Sequence, residues 1–248
     1  MIPEDHPRYN SLISREKIVN AYKSGILADA GMIAHGRGEA FDYLLGEKTS
    51  ETAKKSIDAA AASLLLAENP VISVNGNATA LTSKEIVKLA NILNAKIEIN
   101  LFYRTEARVN AILKVLNEAG AVDVLGTEDE ELKHIKGINH PRGDVSTDGI
   151  YKADVILVPL EDGDRTEALV KSGKKVIAID LNPLSRTSKT ANITIVDNIT
   201  RSITCLIKTV NKLKDKDEKE LKMIANTFNN ENNLKDSLKV MLNSINEI

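Results

Sequence analysis

Two periods alternate through the middle of the chain. Continuous apolar runs at 71–74, 97–101, 122–125, 155–159, 176–181 and 193–196 are short and end in polar turns, as strands buried on both faces do. Between them apolar residues recur every three or four positions over about 83–93, 104–119, 164–172 and 199–212, the spacing of amphipathic helices. Strands and helices in this order are joined by right-handed crossovers. The pattern therefore predicts an α/β protein with a Rossmann-like, doubly wound, mostly parallel sheet of about six strands.

Helical spacing also fills both flanks. A helix over 11–24 should stop at Gly25, and Ser50 should open a long one whose buried side carries Ala53, Ile57, Ala60, Ala61, Leu64 and Leu65. Beyond Lys214, Leu221, Ile224 and Phe228, then Leu234, Leu238, Leu242 and Ile245, mark two peripheral amphipathic helices. The expected organisation is an N-terminal helical segment over 1–69, an α/β core over 70–213 and C-terminal helices over 214–248, all in one compact domain.

Composition removes several classes of function. With 248 residues and a net charge of −2, the chain can bury a sizeable core and has no global field to draw it to nucleic acid or membrane. The single cysteine, Cys205, excludes an internal disulfide and a cysteine zinc site; it sits in a helical pattern with Ile203, Leu206, Ile207 and Val210, as a packed thiol. The first residues lack a signal pattern, and no apolar run approaches the roughly 18 residues of a membrane helix, so a cytoplasmic address is expected. Trp is absent and aromatic residues are few, which argues against base stacking.

Candidate chemistry lies in two N-terminal arginines and in the strand-end loops. On a helical wheel Arg15 falls near the middle of the face carrying Leu12, Ile18, Val19 and Tyr22, where a cation needs a carboxylate or a ligand phosphate. Gly36 and Gly38 flank Arg37 ahead of a short apolar pattern, Ala40, Phe41, Leu44 and Leu45, that Gly46 closes. Read as a helix entrance, that stretch is an anion site; read otherwise, it is a glycine break with a solvated arginine.

The first strand exits into Asn75-Gly76-Asn77, which offers backbone N–H groups and carboxamides, and the second into Arg104 and Arg108 at a helix start. The third opens a long irregular segment, 126–151, with an acidic run and with His134, His140 and Arg142; such a segment is commonly an active-site cover or a disordered insert. The two histidines are capable of acid–base work that their spacing does not require. The fourth exit, 161–166, should lie near the switch point of the sheet, with Asp164 capping a helix and Arg165 beside it. The fifth, 180–190, pairs Asp180, suited to a ribose hydroxyl, with Arg186, Thr187 and Lys189, suited to phosphates; the sixth places Asn198 at a helix cap. Neither G-x-G-x-x-G after the first strand nor G-x-x-x-x-G-K-[ST] is present.

Long blocks of the chain carry a resemblance to a known family: Ile2-Pro3-Glu4-Asp5-His6-Pro7-Arg8-Tyr9, Ser14-Arg15-Glu16-Lys17-Ile18-Val19, Ala28-Asp29-Ala30-Gly31, Ala34-His35-Gly36-Arg37-Gly38-Glu39-Ala40-Phe41-Asp42-Tyr43-Leu44 and Asp180-Leu181-Asn182-Pro183-Leu184-Ser185-Arg186-Thr187. In these the chain is similar to the archaeal phosphopantothenate synthetases, also called 4-phosphopantoate–β-alanine ligases. The resemblance implies a cytoplasmic, homodimeric, ATP-dependent ligase of coenzyme A synthesis that joins 4-phosphopantoate to β-alanine and releases AMP and pyrophosphate. It also implies ATP contacts at Arg15, Arg37, Asp180, Leu181, Asn182, Arg186, Thr187, Asn198 and Ile199, with Arg15 and Arg37 stabilising charge.

Mg²⁺ is expected with the nucleotide, and no protein residue is assigned to it. A second anion pocket for phosphopantoate is expected from Asn75, Gly76, Asn77, Arg104 and Arg165. The rival readings are a nicotinamide-dependent oxidoreductase, which would lack its glycine fingerprint, and a non-catalytic nucleotide-binding protein.

Overall fold

The computed structural model describes residues 2–6, 8–128, 130–159 and 163–245. Its strands are β1 (Pro70–Val74), β2 (Lys96–Ile99), β3 (Leu132–His134), β4 (Asp144–Ser146), β5 (Val155–Pro159), β6 (Lys175–Ile179) and β7 (Ile193–Ile195). The helices are α1 (Tyr9–Lys23), α2 (Asp29–Leu44), α3 (Glu51–Leu65), α4 (Gly76–Leu93), α5 (Glu106–Glu118), α6 (Gly163–Lys171), α7 (Arg186–Thr190), α8 (Ile199–Leu213), α9 (Glu218–Thr227) and α10 (Asn230–Ile245).

Five strands form one parallel sheet in the order β2-β1-β5-β6-β7, so the direction of winding reverses between β1 and β5. The sixth run, 122–125, contributes only a parallel bridge between Leu125 and Glu98. The Ile99 N–H donates to the Leu125 carbonyl and the Leu125 N–H to the Ile97 carbonyl, each at 2.8 Å. Asp123 (φ 55°) and Gly126 (φ 76°) turn the chain away on either side, which keeps this strand to a single pair.

Side-chain alternation divides the interior into two layers. Ile72, Val74, Leu157, Ile177, Ile179, Ile193 and Ile195 face a core completed by α3, α4, α5 and α8. The alanines of α3 at 59–62, at most 1% exposed, let that helix lie close to its neighbours α8 and α9. Val71, Ile156, Val158, Val176 and Ala178 face the opposite layer. There Leu169 of α6 is joined by Ile135, Ile138, Val145 and Ile150, so residues 130–151 pack on the sheet and are not a disordered insert. They form an antiparallel hairpin, β3 with β4, laid on the sheet where a crossover helix would otherwise pack.

Two further readings of the sequence need correction. Helix α2 runs unbroken through Gly36, Arg37 and Gly38, so no helix entrance exists there and the backbone N–H groups of that stretch are spent inside the helix. The helix read from 83 onward begins at Gly76, directly after β1. It kinks at Thr82 (φ −144°), and its first turns are rich in Gly, Asn and Thr, poor helix formers that hide the pattern.

Candidate functional site

Helix α2 crosses the carboxyl ends of the strands. Its axis advances about 5 Å in three to four residues, close to the roughly 4.8 Å spacing of neighbouring strands, so one helix face can meet successive strand exits. Gly31 lies over the exit of β1: Asn77 Nδ2 donates to its carbonyl at 2.9 Å, and a Cβ there would stand 2.7 Å from Asn77 Oδ1. Seven residues on, Gly38 rests over Leu181 beyond β6. Asp42, 6% exposed, then meets the exit of β7, accepting from Asn198 Nδ2 at 2.9 Å and pairing with Arg201 of α8.

The loops under the second half of α2 are held by their own side chains. Asp180 accepts from Ser185 Oγ at 2.5 Å and from the Asn182 N–H at 2.9 Å. Ser185 caps α7 through the Ser188 N–H, and Ser188 Oγ returns to the Asn182 carbonyl at 2.8 Å. Burial raises the pKa of Asp180, which these hydrogen bonds and the nearby charge of Arg37 oppose. Asn198 caps α8 by accepting from the Thr200 N–H. Arg201 pairs with Asp42 and Asp197, and Thr49 Oγ1 donates to Asp197 at 2.6 Å. Burial disfavours the Arg201 cation, but its carboxylate partners outweigh that and leave its pKa raised.

The arginines occupy different places. Arg15 pairs through Nε with Glu39 at 2.9 Å and donates from Nη2 to Tyr43 Oη at 2.9 Å, which supplies the anion its apolar face requires. Arg37, two residues before Glu39, projects about 160° away around the helix and stands exposed on the Asp180 side. Arg186 is exposed and forks onto Asp164 and Glu167 of α6. Lys171 and Arg186 together hold the Glu167 carboxyl down to about 2. Leu181, Thr187 and Ile199 are buried.

Two cavities flank α2. One of about 600 Å³ lies between α1, α2 and α8, and its lining mixes Arg8, Lys17 and Arg201 with Glu39, Asp42 and Glu47. His35 also lines it; its Nε2 is buried without a hydrogen-bond partner, and burial lowers its pKa, so the imidazole is neutral near pH 7. The second, of about 350 Å³, lies over the exits of β1 and β2 and includes Asn75, Gly76, Asn77, Arg108 and Arg142.

The carboxamides of Asn75 and Asn77 are engaged structurally, Asn75 with the Pro159 carbonyl and the Ala78 N–H, Asn77 with Gly31. Arg104 and Arg165 do not line this cavity. Arg104 pairs with Glu128, and Arg165, 0% exposed, donates to Ser73 Oγ at 3.1 Å beneath β1. His134 is a clip inside the hairpin, its two ring nitrogens on Asp144 Oδ1 at 2.8 Å and the Ile138 carbonyl at 2.7 Å. The sequence reading did not single out Glu39, Asp42, His35 or Arg201; the polar positions of α2 at 35, 39 and 42, three or four residues apart, were the available signal.

The fold is that of a doubly wound α/β protein, with two clefts beside the helix that crosses its strand ends. A sequence model described as phosphopantothenate/pantothenate synthetase matches residues 52–244, and the chain belongs to that family. Over 238 residues, 96% of its length, the chain is 54% identical to the 4-phosphopantoate–β-alanine ligase of Thermococcus kodakarensis and 52% identical to that of Methanosarcina mazei, covering 90% and 92% of those proteins. The ligase of the same name from Thermococcus onnurineus is 55% identical over the same length.

Proposed function

We propose that this chain is an ATP-dependent ligase that joins 4-phosphopantoate to β-alanine, forming 4′-phosphopantothenate, AMP and pyrophosphate on the way to coenzyme A. The observation that carries this reading is identity of 52–55% to ligases of that name along 96% of the chain. The geometry is consistent with it. ATP lies over β6 and β7, with Asp180, Leu181 and Asn182 at the ribose and base and Asn198 and Ile199 at the neighbouring helix entrance. Arg37, Arg186 and Thr187 serve the phosphates from the same side; Arg15, paired with Glu39 on the opposite face of α2, must leave that face to join them.

Arg186 must exchange Asp164 and Glu167 for phosphate, and Arg15 must exchange Glu39, so neither guanidinium is available to the nucleotide until those pairs open. The acid's carboxylate oxygen attacks the α-phosphorus and pyrophosphate leaves, giving an acyl-adenylate. The amine of β-alanine, having lost a proton from its ammonium form, then attacks the acyl carbon, and AMP departs. Positioning and arginine charge do the catalytic work, and no protein nucleophile is needed.

Mg²⁺ would enter on the nucleotide's phosphates, since this ion keeps most of its waters and takes few protein ligands. Exposed Val19, Tyr22 and Ile33 on α1 and α2 give a homodimer a surface to bury. The substrates are small and charged, which suits a cytoplasmic enzyme.

The test is to incubate protein with ATP, 4-phosphopantoate and β-alanine, omitting each in turn. AMP and the new amide should appear in equal amounts only in the complete mixture; formation of ADP, or turnover with a nicotinamide cofactor instead, refutes the reading. Arg15→Ala and Arg37→Ala should each lower kcat/KM for ATP at least tenfold, about 1.4 kcal/mol of transition-state stabilisation, with the fold intact by circular dichroism.

A further inference from the structure

Helix α2 passes the switch point of the sheet near residue 35. Gly31, His35, Gly38 and Asp42 fall within about 60° of one another around the helix, on the face turned to the strand exits. Gly31 lies over β1 and Gly38 beyond β6, and β5 stands between those two strands. Along the axis His35 is about 6 Å past Gly31, and one strand spacing is roughly 4.8 Å, so residue 35 comes level with β5. An acid over β1 and a nucleotide over β6 and β7 must meet there for a bond between them to form.

The side chain at that position has an unused nitrogen. His35 Nε2 is buried and makes no hydrogen bond, a state that costs stability and that nothing in the packing requires. The imidazole also lines the cavity between α1, α2 and α8, whose wall includes Asn198 at the β7 exit. Burial lowers its pKa most, the Arg15 cation adds to that and the Glu39 carboxylate opposes both, which leaves the ring neutral near pH 7. The nearest carboxylates are engaged, Glu39 by Arg15 and Asp42 by Arg201, and Tyr43, Glu47 and Cys205 complete the titratable wall. Arg8 and Lys17 line the same cavity and pair with no carboxylate among the described residues. Lys17 Nζ reaches the Leu81 carbonyl at 3.5 Å, and Arg8 the hydroxyls of Ser11 and Tyr43, which leaves cationic charge for the carboxylate of an amino acid.

We infer that His35 is the proton acceptor for the amine of β-alanine, which enters through the cavity between α1, α2 and α8 and meets the acyl-adenylate over β5. The inference rests on the ligase reading and adds a base to the arginine charge given above. The ammonium of β-alanine first releases one proton to solvent, and the freed lone pair attacks the acyl carbon. As the C–N bond forms, a second proton passes from nitrogen to the imidazole, and the C–O bond to AMP breaks with its electron pair on the phosphate oxygen. The imidazolium then returns its proton to water. A weak base suffices, because the nitrogen turns strongly acidic once it is bonded to the acyl carbon.

His35→Gln and His35→Asn, each assayed with β-alanine and with hydroxylamine in its place, test the assignment. Hydroxylamine is neutral near pH 7 and takes an acyl group from an adenylate without a base, so hydroxamate formation reads the first half-reaction by itself. In both variants kcat/KM for β-alanine should fall about a hundredfold, the scale of general base catalysis, with hydroxamate formation and KM for ATP changed less than twofold. The wild-type profile of kcat/KM for β-alanine against pH should steepen on the acid side of the His35 pKa, below 6.5, and the variants should lack that break. A kcat/KM for β-alanine within threefold of wild type in either folded variant overturns the inference. Hydroxamate formation that falls as far as amide formation also overturns it, since that is the mark of a structural role. A wild type that makes neither amide nor hydroxamate shows instead that the ligase reading has failed, and the inference falls with it.

Discussion

At the β6–β7 end of the sheet, short loops fold on themselves through Asp180, Ser185 and Asn198, each bonded to a residue two to five positions away, and α2 is locked down by Asp42 and Arg201. At the β1–β2 end residues 130–151 are folded as a hairpin against the sheet and depend on contacts distant in sequence, Glu98 to Ser146 and Ile150 and Asn100 to Arg142. Local turn chemistry orders the loops at one end, which Asp42 of α2 then ties to Asn198 and Arg201, and long-range burial orders the other. The β6–β7 end should therefore answer to loss of charge pairing, and the β1–β2 end to loss of fit.

Removing Arg201 should have the largest effect on stability. Arg201→Ala strands Asp42 and Asp197, whose side chains are 8% and 0% exposed, and breaking a buried pair in this way costs about 3–5 kcal/mol. Urea unfolding should show the loss, and hydrogen exchange should place the new opening at α2 and α8. Gly149→Ala comes next, at about 1–3 kcal/mol, because the added methyl displaces either Glu98 or the chain around it. Its faster exchange should be confined to 126–151; an opening that spread to α2 and α8 would dissolve the contrast between the two ends.

A change of pH should act on the β1–β2 end through Glu98. Burial pushes the Glu98 carboxyl up to about 7, opposed by the Ile150 and Ser146 N–H groups and by the Arg165 cation, while Glu130 adds to the rise and Lys174 faces it as a second cation. Between 4.5, its ordinary value, and about 7 the folded chain holds a proton that the unfolded chain has released. The stabilisation is complete below 4.5 and is lost as pH rises to about 7. Glu98→Gln should flatten that slope in denaturant midpoints measured across the interval.

The smallest effect belongs to His134, whose pKa is raised chiefly by its hydrogen bond to Asp144. Its contribution is complete below 6.5 and fades as pH rises through the folded value, in the same direction as that of Glu98. Since the pair is about half exposed, His134→Asn should shift stability at pH 6 by no more than about 1 kcal/mol.

The same contrast explains how far the sequence could be read. Strands buried on both faces announce themselves as apolar runs, and caps such as Ser50 and Asn198 act on neighbours two or three residues away, so the five-stranded sheet, its winding and the starts of α3, α5, α6 and α8 were legible. Gly36 and Gly38 misled because glycine weakens a helix only by about 1 kcal/mol each, which tertiary packing of α2 over the strand ends overrides. Arg165 looked like a ligand residue at a strand exit, yet it lies on the buried side of α6; only the fold shows its neighbours, Ser73 and Glu98. The hairpin was illegible because its order comes from the sheet beneath it, which no window of the sequence contains.

The division of the strand edge between two ligands is tested most directly by a crystal structure with a non-hydrolysable ATP analogue and 4-phosphopantoate bound together. The account predicts adenosine against Asp180–Asn182 over β6 and β7, and the acid over the exit of β1 beside Asn75-Gly76-Asn77, with α2 between them. Nucleotide phosphates in the β1–β2 cavity, or the acid's phosphate beside Arg186, would contradict it.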